Sequence, residues 1–388
     1  MHIPMSQPDV GDDERAAVDE VLRGTTLALG PRLALFEERV AGYVGVRHAA
    51  GVSSGTAGLH LGLLAAGVRP GDVVVTTPFS FIASANCALY VGARPAFVDV
   101  EPVALTLDPE RLERTVRRLL RRGERVRAIV PVHVFGQAAD MDPIMAVARR
   151  YGLAVVEDAC EAIGTQYRGR PAGTLGDAAV FAFYPNKQMT TGEGGMIVTD
   201  LPAWDRLFRS LRNQGRDDAG TWLEHVRLGY NYRLDELSAA LGAVQIARLD
   251  DLLARRAQVA AWYGERLAGV CGVALPAVAE WTTRTSWFVY VVRLDPRVDR
   301  DAVVHALAQR GVPARAYFPP IHLQPFYRRQ FGFRPGDFPV AEAAGATCLA
   351  LPFFTAMRVE QIDVVAGALE EVLCEARDAA PHLRRALG

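Results

Sequence analysis

The chain has 388 residues, half of them hydrophobic and 22% charged, with 43 basic against 44 acidic side chains and a formal net charge of −1. That length fits two domains, or one large domain with a smaller companion, and the composition is ordinary for a globular protein. So even a balance excludes the overall basic field on which nucleic-acid or membrane binding draws. The N-terminal stretch lacks the charged-then-apolar pattern of a secretory signal, and no apolar run approaches the roughly 20 residues that span a bilayer. A cytoplasmic protein is expected. Five widely spaced cysteines, Cys87, Cys160, Cys271, Cys348 and Cys374, form no CxxC pair. Their pattern argues against a disulfide framework and against a zinc or other metal site, and for reduced, mostly buried thiols.

In chain order, short apolar runs at 48–53, 72–76, 95–100, 127–133, 153–157, 178–183 and 196–199 alternate with helical patterns at 56–66, 79–91, 109–122 and 140–151. The runs are rich in Val, Ile, Ala and Phe without polar alternation, as in strands buried on both faces of a largely parallel sheet. In the third helix Leu112, Val116, Leu119 and Leu120 make one stripe. Its many arginines have no aromatic residues among them, so they read as a solvated face. The alternation predicts an α/β sandwich. A long helical stretch at 233–268 follows, after which the texture changes. A strand is expected at 286–294, a helix at 301–310 ended by Gly311 and Pro313, a Pro- and aromatic-rich loop at 317–327, and two further helices. These place a large domain at 1–255 and a small C-terminal α/β domain at 256–388.

One residue stands out by composition. The 43 basic side chains are 42 Arg and a single Lys, Lys187. Arg replaces Lys wherever only a positive charge matters; a position that keeps Lys needs something Arg lacks. A desolvated Lys can lose its proton and act as a nucleophile, whereas Arg stays protonated. Lys187 follows the apolar run 178–183 and Pro185, and precedes the glycine-rich turn Gly192-Glu193-Gly194-Gly195. It therefore belongs to a constrained loop at a sheet edge. Two further motifs lie at other strand ends. Ser53-Ser54-Gly55-Thr56-Ala57 joins a strand to a helix, where free N–H groups favour a phosphate, although Ser and Thr there are also ordinary helix caps. Glu157-Asp158-Ala159-Cys160-Glu161 ends another strand with carboxylates at the rim of the sheet, where open α/β folds build their sites; read alone, it is also compatible with a surface acidic turn.

With these motifs the chain resembles the DegT/DnrJ/EryC1/StrS family of pyridoxal-phosphate-dependent sugar aminotransferases, which have the fold-type I architecture. The resemblance extends over nearly the whole sequence. It includes Leu29-Gly30-Pro31, Phe36-Glu37, Thr77-Pro78-Phe79-Ser80-Phe81, Val98-Asp99-Val100, Pro131-Val132-His133-Val134-Phe135-Gly136-Gln137 and Gly229-Tyr230-Asn231-Tyr232-Arg233. It implies that Lys187 is the catalytic residue, forming a Schiff base with pyridoxal phosphate and moving a proton. Asp158 would pair with the pyridine nitrogen and keep the ring an electron sink. Phe81 would stack on the ring, and Ser54, Gly55 and Thr56 would bind the phosphate. Asn231 would reach the phosphate of the neighbouring subunit of a homodimer. Glu161 stands where Gln or His is frequent, beside the phenolic oxygen, so its charge would need protonation or compensation. Tyr317, His322 and Arg233 are the candidate substrate contacts. One departure is Ala182, where many members carry a phosphate-binding Ser five residues before the Lys.

The activity implied is amino transfer from glutamate, or glutamine, to a keto sugar nucleotide, at C4 or C3 of a 6-deoxyhexose. The same residues suit amination of a keto-cyclitol, or a non-catalytic regulator that binds the cofactor. Dehydratases of the family replace the Schiff-base Lys by His, and Lys187 argues against that activity.

Overall fold

Seven of the apolar runs become the strands of one sheet in the computed structural model, which describes residues 2–217, 221 and 224–386. Their spatial order is His48–Val52, Gly195–Thr199, Ala178–Ala182, Ala154–Asp158, Val126–Ile129, Val73–Thr76 and Arg94–Phe97. The last five are parallel to their neighbours in that set, and only Gly195–Thr199 runs antiparallel to the strands on both sides. Successive side chains serve opposite faces. Val74, Val156 and Val180 join one buried cluster, while Val73, Val75 and Val155 join another. Helices cover both faces, which is why these strands read as continuous apolar runs.

The register brings three motifs to one rim. Gly195 stands opposite both Val52 and Ala182. A Cβ on Gly195 would lie 2.6 Å from the carbonyl carbon of Ser54, so glycine lets the turn before the helix Gly55–Ala65 close over the strand. Asp158 pairs with Val180 at the same end of the sheet.

Several elements differ from the sequence expectation. The helix expected from residue 79 starts at Ala83, because Phe79 is drawn into the core and residues 77–81 form a turn that leaves Phe81 exposed. The stretch 233–268 is two helices, Glu236–Ala247 and Leu249–Leu267, meeting at Arg248, whose guanidinium pairs with Glu14 and Asp9. On Pro109–Arg121 the buried stripe is Leu112, Thr115, Val116 and Leu119, and Leu120 faces solvent. The strand expected at 286–294 begins at Tyr290, since Trp287 takes a left-handed turn at φ 48°. The expected loop at 317–327 already contains the start of the helix Pro325–Phe331. The strand Cys348–Leu351, too short and uniformly apolar to be distinguished, pairs with Tyr290–Leu294. Cys271 and Cys374 are exposed, whereas Cys87 and Cys348 are buried.

The C-terminal lobe is an antiparallel sheet, Val273–Ala274, Tyr290–Leu294, Cys348–Leu351 and Arg315–Ala316, covered by Arg300–Gln309 and Val359–Ala386. Ile3 joins its core, and Met5 O accepts a hydrogen bond from Phe353 N–H at 3.0 Å. The helix Leu249–Leu267 serves both lobes: Leu249, Leu252 and Leu253 pack under the large sheet, and Val259, Ala260, Tyr263 and Leu267 pack in the small lobe. We propose that the domain boundary lies within this helix, at residues 255–256. Among the described residues, no helix is long and apolar enough to cross a membrane.

Candidate active site

At the rim where the parallel strands end lies a cavity of about 480 Å³. Ser54, Gly55, Thr56, Phe81, Asp158, Glu161, Lys187 and Tyr317 all line it, joined by Ala182. The residues come from four strand ends and from the Tyr317 segment of the small lobe, so only the folded chain assembles them.

The floor near Gly55 is the N-terminal turn of the helix Gly55–Ala65. Ser54 has extended backbone, and its Oγ accepts from Ala57 N–H at 3.1 Å, while its carbonyl accepts from Gly58 N–H at 3.1 Å. The N–H groups of Gly55 and Thr56 precede the first in-helix bond and so remain open to a ligand. Capping thus uses the Ser54 side chain and leaves the first N–H groups of the same turn open. Gly55 is closely packed, for a Cβ there would meet Cys160 Sγ at 2.7 Å and the Ala182 Cβ at 2.9 Å. Ala182 therefore adjoins the turn and offers it no hydroxyl.

Asp158 is held from several sides. Its N–H donates to Pro131 O at 2.9 Å, and its carbonyl accepts from His133 N–H at 3.0 Å. Its Oδ2 accepts from Ser84 Oγ at 2.6 Å, and its Oδ1 from Cys160 N–H at 3.2 Å. Glu157, the preceding residue, is fully buried and accepts from the N–H groups of Gly173, Leu175 and Gly176 at 2.9, 2.8 and 2.7 Å. The acidic run is consequently no surface turn: one carboxylate locks the fold, the next faces the cavity.

Lys187 follows the strand Ala178–Ala182 in a turn closed by its own N–H to Tyr184 O at 2.9 Å. Its side chain is 13% exposed, with Nζ 3.7 Å from Glu161 Oε1 and 3.9 Å from the ring centroid of Phe288. Glu161 Oε2 accepts from Phe135 N–H at 2.9 Å. Burial pushes the Glu161 carboxyl up; Lys187 and the Phe135 N–H oppose that rise, and Asp158 adds to it. The charge compensation that the sequence demanded of Glu161 thus comes from the Lys187 amine and one backbone donor. Burial, reinforced by the neighbouring Asp158, also keeps Cys160 a thiol. The Tyr317 phenol is likewise pushed up by burial and by Glu161.

Three expected residues lie outside this cavity. His322 is fully buried, its Nε2 is 3.0 Å from Glu342 Oε1, and its ring packs edge-on against Phe338. Glu342 in turn accepts from Phe338 N–H at 3.1 Å, so His322 is tied into the support of the loop. Arg233 donates to Asn213 Oδ1 at 3.0 Å, and Asn231 is exposed, with Asn213 opposite it in a β-bridge. Sequence reasoning missed Ser84, Phe135, Cys160 and Phe288. Ser84 had a signal in its spacing of four residues from Ser80, which lies in the turn before the helix with its hydroxyl 2.7 Å away. Phe288 had none, because its contact crosses between the lobes.

The DegT/DnrJ/EryC1/StrS aminotransferase family model matches residues 8–370. GDP-perosamine synthase of Caulobacter vibrioides is 40% identical over 376 residues, covering 96% of this chain and 98% of that protein. Among solved structures, DesV of S. venezuelae superposes with a TM-score of 0.87 at 36% identity, covering 95% of this chain and 98% of the other. The PLP-form of Spr1654, a putative sugar aminotransferase from Streptococcus pneumoniae, gives a TM-score of 0.90 at 26% identity over 97% of this chain and 100% of the other. With the expected fold-type I architecture observed and a match across nearly its whole length, the chain belongs to the DegT/DnrJ/EryC1/StrS aminotransferase family.

Proposed function

We propose that this aminotransferase moves an amino group from glutamate to a keto sugar nucleotide, a 4-keto or 3-keto 6-deoxyhexose. The observation that carries the reading is one cavity that joins the Lys187 amine, the Asp158 carboxylate and the open N–H groups of Gly55 and Thr56. The nucleotide sugar is supported by the 40% identity to GDP-perosamine synthase. A relationship to 3-amino-5-hydroxybenzoic acid synthase, at 28% identity and TM-score 0.88, favours a carbocyclic ketone as the second reading.

The cofactor is pyridoxal phosphate, and the donor set fits it: an anion cradle, a carboxylate for a ring nitrogen and a primary amine open on the same space. When bound, the cofactor would supply an electron sink for the chemistry at the donor's Cα. Gly55, Thr56 and Ser54 hold the phosphate. Asp158, kept in place by Ser84 and by the Cys160 N–H, holds a proton on the ring nitrogen. Phe81, 61% exposed in the single chain, offers a ring face to the cofactor. Lys187 Nζ anchors the cofactor and, when free, carries the proton away from Cα. Glu161, 3.7 Å from Lys187 Nζ, would stand on the side of the phenolic oxygen and offset the charge of that amine.

Tyr317 contacts the acceptor. Asn231 and Arg233, outside their own cavity, serve the neighbouring subunit of a homodimer, Asn231 at the phosphate and Arg233 at an anionic group. His322 acts through Glu342 by steadying the loop over the site.

Two measurements test this. Borohydride reduction of protein incubated with pyridoxal phosphate should fix the cofactor to Lys187, and Lys187→Arg should fold yet show no half-reaction with glutamate. Transamination surviving in that variant would refute the role of Lys187. The aminated enzyme should then convert keto sugar nucleotides in preference to keto-cyclitols; the reverse preference selects the second reading.

A further inference from the structure

Lys187 Nζ touches one group that the chemistry above does not use, the ring of Phe288, whose centroid lies 3.9 Å away. Phe288 is 2% exposed and comes from the small lobe, just before the strand Tyr290–Leu294. Its place is fixed by an unusual support. Arg256, itself 2% exposed, donates from Nη2 to Phe288 O at 2.7 Å and from Nε to Trp287 O at 2.8 Å. No carboxylate pairs with Arg256 among the described residues; its other contacts are Thr355 Oγ1 at 3.2 Å and the ring of Phe353 at 4.9 Å. A buried guanidinium spent on two consecutive carbonyls is costly to maintain and fixes one backbone geometry. The same turn is tied to the lysine loop by Gln188 Nε2, which donates to Ser286 Oγ at 2.7 Å.

We infer that Phe288 is a positioning residue for Lys187, its ring face seating the Nζ atom and stabilising the ammonium that forms once the free amine has accepted a proton. An aromatic face attracts a cation and has little attraction for the neutral amine. It therefore stabilises the charge that Lys187 acquires on accepting a proton, and keeps Nζ from swinging out of reach of the site. Glu161 acts on the same atom from 3.7 Å but is also held by Phe135 N–H; the ring has no such second duty. The inference rests on the reading of Lys187 as the cofactor-anchoring amine.

The single lysine makes the test direct. The full chain, freed of cofactor, is treated at pH 8 with acetic anhydride, and the acylation rate of Lys187 is measured against a small amine in the same tube. Position 288 carries phenylalanine with zero, one, two or three ring fluorines, which weaken the attraction for a cation while keeping the shape. The rate should rise stepwise, by about two- to five-fold at three fluorines, as the ammonium is released. Phe288→Tyr should react like the native protein, and Phe288→Leu at least as fast as the trifluoro form. A rate that stays flat across the fluorinated series overturns the inference, even if Phe288→Leu does not fold. Borohydride trapping of pyridoxal phosphate in the same samples tests the underlying reading separately: a failure to trap leaves the acylation series interpretable, and a flat series leaves the trapping result intact.

Discussion

Glu157 Oε2 lies 2.8 Å from His133 Nε2, and both side chains are fully buried. Ala139 N–H donates to His133 Nδ1 at 3.0 Å, which puts the ring proton on Nε2 and makes a neutral imidazole the donor to Glu157. His133 N–H also donates to the carbonyl of Asp158. The pair thus supports the residue whose carboxylate faces the cavity. Replacing Glu157 by Gln turns an acceptor of four hydrogen bonds into a group that must donate as well. Stability should fall by about 1.5–3 kcal/mol, the range for hydrogen bonds to a charged group. Urea unfolding monitored by circular dichroism checks this; an unchanged midpoint would show that the pair is dispensable.

Ala182 adjoins the anion cradle without contributing to it. Ala182→Ser should place a hydroxyl next to the Gly55 turn and tighten pyridoxal phosphate binding by about two- to ten-fold, corresponding to a net hydrogen bond of roughly 0.5–1.5 kcal/mol. Titration of cofactor-free protein, followed by quenching of intrinsic fluorescence, measures it. Weaker binding in the variant would mean that the cradle has no room there.

Glu161 predicts a dependence of stability on pH. Its carboxyl is pushed up in the folded cofactor-free chain, mainly by burial, so the folded state holds this proton more tightly than the unfolded state. The corresponding stability is present below the unfolded value and is lost as pH rises through the raised folded value. Glu161→Gln removes the titration. Its stability relative to the native protein should therefore improve as pH rises from acid to neutral. Parallel lines for the two proteins across that range would contradict the raised carboxyl.

The proposed sharing of the site between two subunits predicts complementation. Lys187→Ala and Asn231→Ala should each be inactive or nearly so. Subunits of the two, unfolded and refolded together, should regain activity, because a mixed dimer has one site with Lys187 from one subunit and Asn231 from the other. No recovery, with mixed dimers demonstrated by mass spectrometry, would show that Asn231 acts within its own chain.

Much of this protein was legible in its residues alone. Lys187 stood out because chemistry protects a lysine that arginine could otherwise replace. The central strands were readable because a sheet covered on both faces demands unbroken apolar runs. The turn at Gly55 was readable because small residues between a strand and a helix leave N–H groups open. All three signals are local, and the physics behind them acts over a few residues. Tertiary structure decided the rest. It drew Phe79 into the core, left Phe81 exposed at the cavity, and sent His322 to Glu342. It set Ser84 on Asp158, Phe135 N–H on Glu161, and Phe288 over Lys187. These contacts join residues about 20 to 100 positions apart; their formation depends on packing, which makes up for the lost chain entropy only when the whole fold is in place. The sequence could thus single out Lys187 and Glu161, while only the fold could show that this carboxylate and the ring of Phe288 lie against the same amine.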